Sequence, residues 1–184
     1  MNAATAIALI IAILALAGFA FLFWDRRRTS TVRSRFGPEF DRAVRQEGNE
    51  RRARAILEQR QERVARYPIR PLTLEEQERF VAEWRAIQAH FVDNPCDAIA
   101  RADRLVSQAM HARGYPTSDF DRQAADLSVD HPHVLGDYRI AHEIALRSEE
   151  NQASTEDLRL AMQHYRALFE ELVEVGAARE EIHR

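Results

Sequence analysis

Lysine is absent from this chain, and all 26 basic residues are arginine. No side chain can therefore form a Schiff base, act as the lysine of a phosphate-binding loop, or serve as an acetylation switch. Cysteine occurs once, as Cys96, which excludes an internal disulfide and agrees with a reducing compartment. The six glycines are scattered, so no glycine-rich loop can cradle a phosphate. G-x-S-x-G and H-E-x-x-H do not occur. Strand signals are missing too: there is no run of alternating β-branched residues and no Asn-Gly hairpin. What is left is helical periodicity nearly throughout.

The strongest feature present is a run without charge. Residues 3–24 read AATAIALIIAILALAGFAFLFW, and Asp25-Arg26-Arg27-Arg28 follows at once. Such a run rises about 33 Å as a helix, against a bilayer core of about 30 Å. No polar stripe interrupts it, which argues against a buried core helix. Ala15-Leu16-Ala17 resembles a signal-peptidase site, but no basic residue precedes the run and it continues seven residues further. The reading is a retained single-span anchor, with residues 1–28 as span and basic flank. Trp24, Arg26, Arg27 and Arg28 mark the membrane interface, and the arginine excess after the span places the carboxyl-terminal side in the cytoplasm. The lipid bilayer and its anionic head groups are thus the first expected partners. Ala4, Ala8 and Ala12 form a small-residue row that permits weak self-association.

The formal charge of −3 hides a division. Residues 25–70 hold 14 Arg against 7 acids, a net of +7; residues 71–184 hold 12 Arg against 22 acids, a net of −10. The basic part is attracted to an anionic leaflet and the acidic part is repelled from it. The acidic part is also unsuited to nucleic acid. Arg51, Arg52, Arg54, Arg60, Arg63 and Arg66 could contact a phosphate backbone. Glu58 and Glu62 interleave with them at helix-pairing distance, which favours a salt-bridged helix and no nucleic-acid partner.

Four segments follow from punctuation. After the anchor, residues 29–72 read as an Arg-rich helical stalk and linker. Pro38 opens a short helix that Gly48 can end, and Asn49 can cap a mostly charged one from Glu50 to about Arg66. No clean heptad holds there, which favours a solvated stalk over a coiled coil. Tyr67-Pro68-Ile69-Arg70-Pro71 breaks the chain, and the domain boundary is placed there.

Residues 73–176 read as an acidic bundle of about four longer helices and one short one. Thr73 and Glu76 form a capping box ahead of Phe80, Trp84, Ile87 and Phe91 on one face. Asn94-Pro95 opens a helix whose stripe is Ile99, Ala102, Leu105, Val106, Ala109 and Met110, closed by Gly114. A short helix covers Asp119 to Leu127. Asp130-His131-Pro132 is read as the start of a longer one with Val134, Leu135, Tyr138, Ala141, Ala145 and Leu146 inward, ended by Asn151. Ser154 caps the last, with Leu158, Ala161, Met162, Tyr165, Leu168, Phe169 and Leu172 inward, until Gly176 stops it. Residues 177–184 read as a flexible tail. The fold class is all-α, with an up-and-down bundle as the economical packing.

Several stretches carry a resemblance: Arg35-Phe36-Gly37-Pro38-Glu39-Phe40-Asp41-Arg42, Ile69-Arg70-Pro71-Leu72, Arg113-Gly114-Tyr115-Pro116, Ala124-Ala125-Asp126-Leu127-Ser128-Val129-Asp130-His131-Pro132 and Ala153-Ser154-Thr155-Glu156-Asp157-Leu158-Arg159. On these the chain resembles a family of bacterial proteins with one amino-terminal span and a helical domain. The resemblance implies an envelope location and supplies no activity and no catalytic residues.

Candidates for chemistry are few. His131 and His133, with Asp130 or His142, could share a metal ion, although their spacing fits no recognised zinc pattern. Cys96 falls in the first turn of a helix, where a thiol can become reactive, with His90 as the nearest base. Trp84 with Phe80, Phe91 and Tyr165 could line an apolar site, but a bundle this small needs them as core. The sequence implies no cofactor and points away from an enzyme. It favours a membrane-tethered helical interaction or scaffold module on the cytoplasmic face of the inner membrane, meeting a protein partner it does not identify. Two alternatives stay open at this point. One is an enzyme or metal-binding protein using His131, His133 and His142; the other is an exported envelope protein after signal cleavage.

Overall fold

The computed structural model describes Leu16, Arg27 and residues 29–116 and 119–182, with side chains as far as Val173. Among these described residues every regular element is a helix, as the periodicity requires. The span expected at residues 3–24 lies outside them, Leu16 apart, and among the described residues no helix is long and apolar enough to cross a membrane. The chain divides into two compact units, Met1–Gln59 and Arg60–Arg184.

In the first unit, helical residues 29–36 lead through Gly37 into α1 (Pro38–Glu47), with proline at the first turn. Gly48, at φ 67°, closes α1 with its N–H on the Val44 carbonyl, a left-handed conformation that glycine adopts without a Cβ penalty. Asn49 then accepts from the Arg51 N–H at 2.8 Å and opens α2 (Glu50–Val64).

The fully solvated stalk expected here is not what forms. Arg54 Nη1 donates to Thr29 Oγ1 at 2.8 Å, and Arg33 lies 2.9 Å from Asp41 and 3.9 Å from Glu50. The segment therefore turns back on itself. Phe36, Phe40, Ala53 and Leu57 are fully buried. Two glycine turns break the stretch into short helices, and withdrawing its sparse apolar groups from water is worth about 25 cal/mol per Å².

The second unit is the bundle: α3 (Leu74–His90), α4 (Pro95–Ala112), α5 (Phe120–Asp130), α6 (Leu135–Glu149) and α7 (Thr155–Ile182). The caps at Thr73, Asn94 and Ser154 fall where the sequence puts them. Thr73 and Glu76 satisfy each other's backbone N–H groups, and Asn94 accepts from Asp97. Asp119, read as the first residue of the short helix, is its N-cap and accepts from Arg122. Ser154 and Asp157 form a reciprocal pair at the start of α7. Each of these offsets a helix-end donor that would otherwise lack a partner.

Helix α4 is central and packs against α3, α6 and α7; α7 also lies along α6, and α5 rests on α6. The whole predicted α4 stripe is buried. In α7, Leu158, Ala161, Tyr165, Leu168, Phe169 and Leu172 are buried, while Met162 is half-buried. In α6, Ile144 takes the inward place expected of Leu146, which is exposed.

Three boundaries differ from expectation. The compact unit starts at Arg60 rather than at Tyr67–Pro71, because the connector is pinned to the bundle. Asp130 ends α5 instead of starting α6, and His131–Val134 form the turn between them. Helix α7 runs through Gly176 to Ile182, where a stop and a flexible tail were expected. One interior glycine costs only about 1 kcal/mol relative to alanine, and the flanking Ala177, Ala178, Arg179 and Glu180 are good helix formers.

Candidate functional site

Buried charge concentrates along one seam of the second unit, where the connector 65–72 meets the carboxyl-terminal end of α4 and the α5–α6 turn. The seam begins with backbone. Arg70 N–H donates to the Arg113 carbonyl at 2.9 Å, and Arg113 N–H closes α4 on Ala109 at 3.1 Å. Gly114 sits at φ 96°, and a Cβ there would collide with the Pro68 carbonyl. Only a residue without a side chain lets the two strands of backbone approach this closely.

Two acid-centred groups hold the seam laterally. Asp126 on α5 is 1% exposed. It receives the Arg63 guanidinium, with Nε at 2.9 Å, and the Tyr67 hydroxyl at 3.1 Å. Burial works to lower the Arg63 pKa, but the Asp126 carboxylate outweighs it and raises it. One turn further, Tyr115 donates to Asp130 at 2.8 Å. Burial and the Asp130 charge push the Tyr115 hydroxyl well above its ordinary value, so it acts as a donor only.

The third group is a relay. Arg113, 3% exposed, donates through Nη1 to the Leu172 carbonyl at 3.2 Å and faces His131 Nε2 at 3.4 Å. His131 Nδ1 lies 2.8 Å from Glu171 Oε1, and His133 Nε2 lies 3.3 Å from Glu171 Oε2. Burial depresses the His131 pKa, with the Arg113 charge adding to it. The ring is then neutral, with Nδ1–H donating to Glu171 and Nε2 accepting from Arg113, an assignment that satisfies both nitrogens. Burial pushes the Glu171 carboxyl up, but hydrogen bonds from the two histidines hold it below the ordinary carboxylate range.

A separate polar group lies between α4, α6 and α7. Asp103 accepts the Tyr165 hydroxyl at 2.7 Å and pairs with His142 Nδ1 at 3.3 Å. Phe120 stacks on the His142 ring at 3.7 Å between centroids. Burial raises the Asp103 pKa, yet His142 and Tyr165 outweigh it and lower it. His164 pairs with Asp137 at 3.0 Å.

The histidines singled out from sequence are thus divided. His131 and His133 share Glu171, while His142 belongs to Asp103, and among the described residues no group of three His, Cys, Asp or Glu is placed to hold a metal ion. Asp130, offered as a ligand, serves Tyr115. Cys96 is exposed, and His90, its candidate base, is engaged with Asp97 at 2.8 Å. Trp84 stacks on Phe169 at 4.9 Å, and Tyr165 meets Tyr138 edge-on; these aromatics fill the core. Of the interface residues, Trp24, Arg26 and Arg28 lie outside the described residues, and Arg27 is exposed.

Sequence reasoning took Arg63 for a surface arginine and Tyr67 for part of a chain break, and gave Asp126 and Glu171 no role; the structure puts Arg63 and Tyr67 on Asp126 and two histidines on Glu171. The stretches 69–72, 113–116 and 124–132, which carried the resemblance, do meet at this seam. Chemically the seam is a clamp: its charges face one another, and it ties connector, turn and α7 together. No family model, no curated protein and no solved structure matches the chain.

Proposed function

We propose that this chain is a membrane-tethered helical interaction module, anchored in the bacterial inner membrane with its bundle in the cytoplasm. The observation that carries the reading is the uncharged run at residues 3–24 with Arg26, Arg27 and Arg28 directly after it. Two further features support it. The Arg-rich residues 25–70 are drawn to anionic head groups by about 1 kcal/mol each near the surface, while the acidic bundle is repelled. The bundle's buried acids and histidines are occupied with one another, which suits a rigid body that presents a surface.

Cys96 makes the test direct, because it is the only thiol and is exposed. An impermeant maleimide added to whole cells should leave it unlabelled, and lysis should make it react. Labelling from outside, or full-length protein in the aqueous fraction, would overturn the tether. Proximity labelling from the bundle should enrich specific proteins over a bare-anchor control; equal profiles would remove the interaction role.

A further inference from the structure

His131 is held between a cation and an anion in a place that water barely reaches. Arg113 and His131 are each 3% exposed. Arg113 Nη1 stands 3.4 Å from His131 Nε2, and Glu171 Oε1 stands 2.8 Å from His131 Nδ1. The charged groups that face the ring come from three helices: Arg113 from the end of α4, Glu171 from α7 and Asp130 from the end of α5. Their neighbours are engaged. Tyr115 donates to Asp130, and Arg63 and Tyr67 occupy Asp126. Exposed His133 reaches the second oxygen of Glu171, and the Arg70 guanidinium turns to Glu76 at 2.7 Å.

The neutral ring fits this place and the charged ring does not. With Nδ1 donating to Glu171, Nε2 is an acceptor and meets a donor in Arg113. A proton on Nε2 would set one N–H against another, and a guanidinium has no acceptor to offer. Where solvent is excluded, water cannot replace the lost bond or screen the like charges.

Arg113 is the side that yields. The His131 backbone closes α5 on the Leu127 carbonyl at 2.9 Å, and its ring keeps Glu171. Arg113 uses the same Nη1 for His131 and for the Leu172 carbonyl, so displacing that nitrogen breaks both contacts. Arg113 is also the residue that holds the connector. It is the C-cap of α4, its carbonyl accepts the Arg70 N–H at 2.9 Å, and the Gly114 that follows lies against Pro68.

We infer that His131 is the proton sensor of a latch: a proton taken up at Nε2 expels the Arg113 side chain and releases residues 68–72 from the end of α4. The Asp126 group stays closed on Arg63 and Tyr67, so the opening is local and the helices of the bundle persist. The latch lies within the second unit and does not depend on the tether.

The test uses the full chain in detergent, followed from pH 7.5 to 5.5. Nitrogen-15 NMR of the His131 ring reports its protonation. Amide exchange, corrected for the intrinsic effect of pH, reports opening of the connector. The ring should carry its proton on Nδ1 alone at pH 7.5 and titrate below the ordinary 6.5. Opening at the Arg70 N–H should rise by up to about tenfold, the limit set by one pH unit below that ordinary value. The Leu158 N–H, bonded to Ser154 at the far end of α7, should stay within about twofold, and helical circular dichroism should not change. His131→Gln should remove the pH response. Arg113→Met removes the opposing donor, so its His131 should titrate closer to 6.5 with no response in the connector. Should either variant fail to fold, the wild-type ring and amide decide by themselves. A ring already charged at pH 7.5, an Arg70 N–H indifferent to pH while the ring titrates, or a response that persists in His131→Gln would overturn the latch. Thiol and proximity labelling read the tether and the partner, so the latch and the module fall separately.

Discussion

Gly114 lies directly against Pro68: an added Cβ would come 2.9 Å from the Pro68 carbonyl carbon and 3.3 Å from Ile69 Cα. The same glycine has φ 96°, which L side chains rarely adopt. Gly114→Ala therefore meets strain and collision together. Left-handed strain of about 1–2 kcal/mol and overpacking of about 1–3 kcal/mol should combine to a loss of several kcal/mol. Denaturant unfolding of the full chain in detergent measures it. An unchanged midpoint would show that the connector yields at no cost and is not clamped.

Asp126→Asn should weaken the same clamp from the side. It removes the charge opposite Arg63 and keeps the shape, leaving a guanidinium that is 29% exposed. Because water can reach Arg63, the loss should fall below that of a fully buried pair, at about 1–3 kcal/mol. Amide exchange is the more specific measurement: the Arg70 N–H, bonded to Arg113, should lose protection before the core of α4 does. Arg159→Ala, at an exposed pair with Glu156, should leave the unfolding midpoint unchanged.

The clamp also shows where sequence reading stops. Thr73, Asn94 and Ser154 were legible as caps because a cap is a local rule, written within four residues. The α4 stripe was legible because nothing else can bury Ile99 through Met110. Asp126 carries no such mark: it sits among small residues on a short helix, and its partners are 59 and 63 positions away. Arg63 reads as one more stalk arginine, and Glu171 as a polar residue beside a stripe. Asp130-His131-Pro132 misled for a related reason. Asp before Pro is a helix-start signal, but Tyr115 takes the carboxylate and the turn displaces α6 to Leu135. Long-range charge pairing decided these positions, and periodicity carries no information about it.

Trp84 and Phe169 stack at 4.9 Å with planes 13° apart, joining α3 to α7. Trp84→Ala should cost about 3–5 kcal/mol, the usual range for emptying a buried aromatic site. Aromatic pairing itself is worth about 0.5–1.5 kcal/mol beyond area, so a double-mutant cycle with Phe169→Leu should return a coupling in that range. A coupling of zero would mean that Trp84 acts by volume alone.

The bundle should lose stability as the medium becomes acid, and His131 should account for the first part. Its ring is 3% exposed and faces Arg113, with Glu171 and Asp130 as the opposing acids. Burial holds its folded pKa below the ordinary 6.5, so between those two values the unfolded chain binds a proton that the folded chain refuses. Stability is thus full above pH 6.5 and declines as pH falls towards the folded pKa. Glu171, held below its ordinary 4.5 by the two histidines, acts later. Its contribution is present above pH 4.5 and is lost as pH drops through its lower folded pKa. Thermal melts should therefore fall in two stages, one beginning near pH 6.5 and one below pH 4.5. His131→Gln removes the first titration and should flatten the upper stage while lowering the melting temperature at pH 7.5; the lower stage should persist, since Asp103 is also held below its ordinary range by His142 and Tyr165. A wild-type profile flat from pH 7.5 to 5, or a His131→Gln profile with an unaltered upper stage, would mean that the ring takes up its proton in the folded bundle without cost, and that Arg113 does not oppose it.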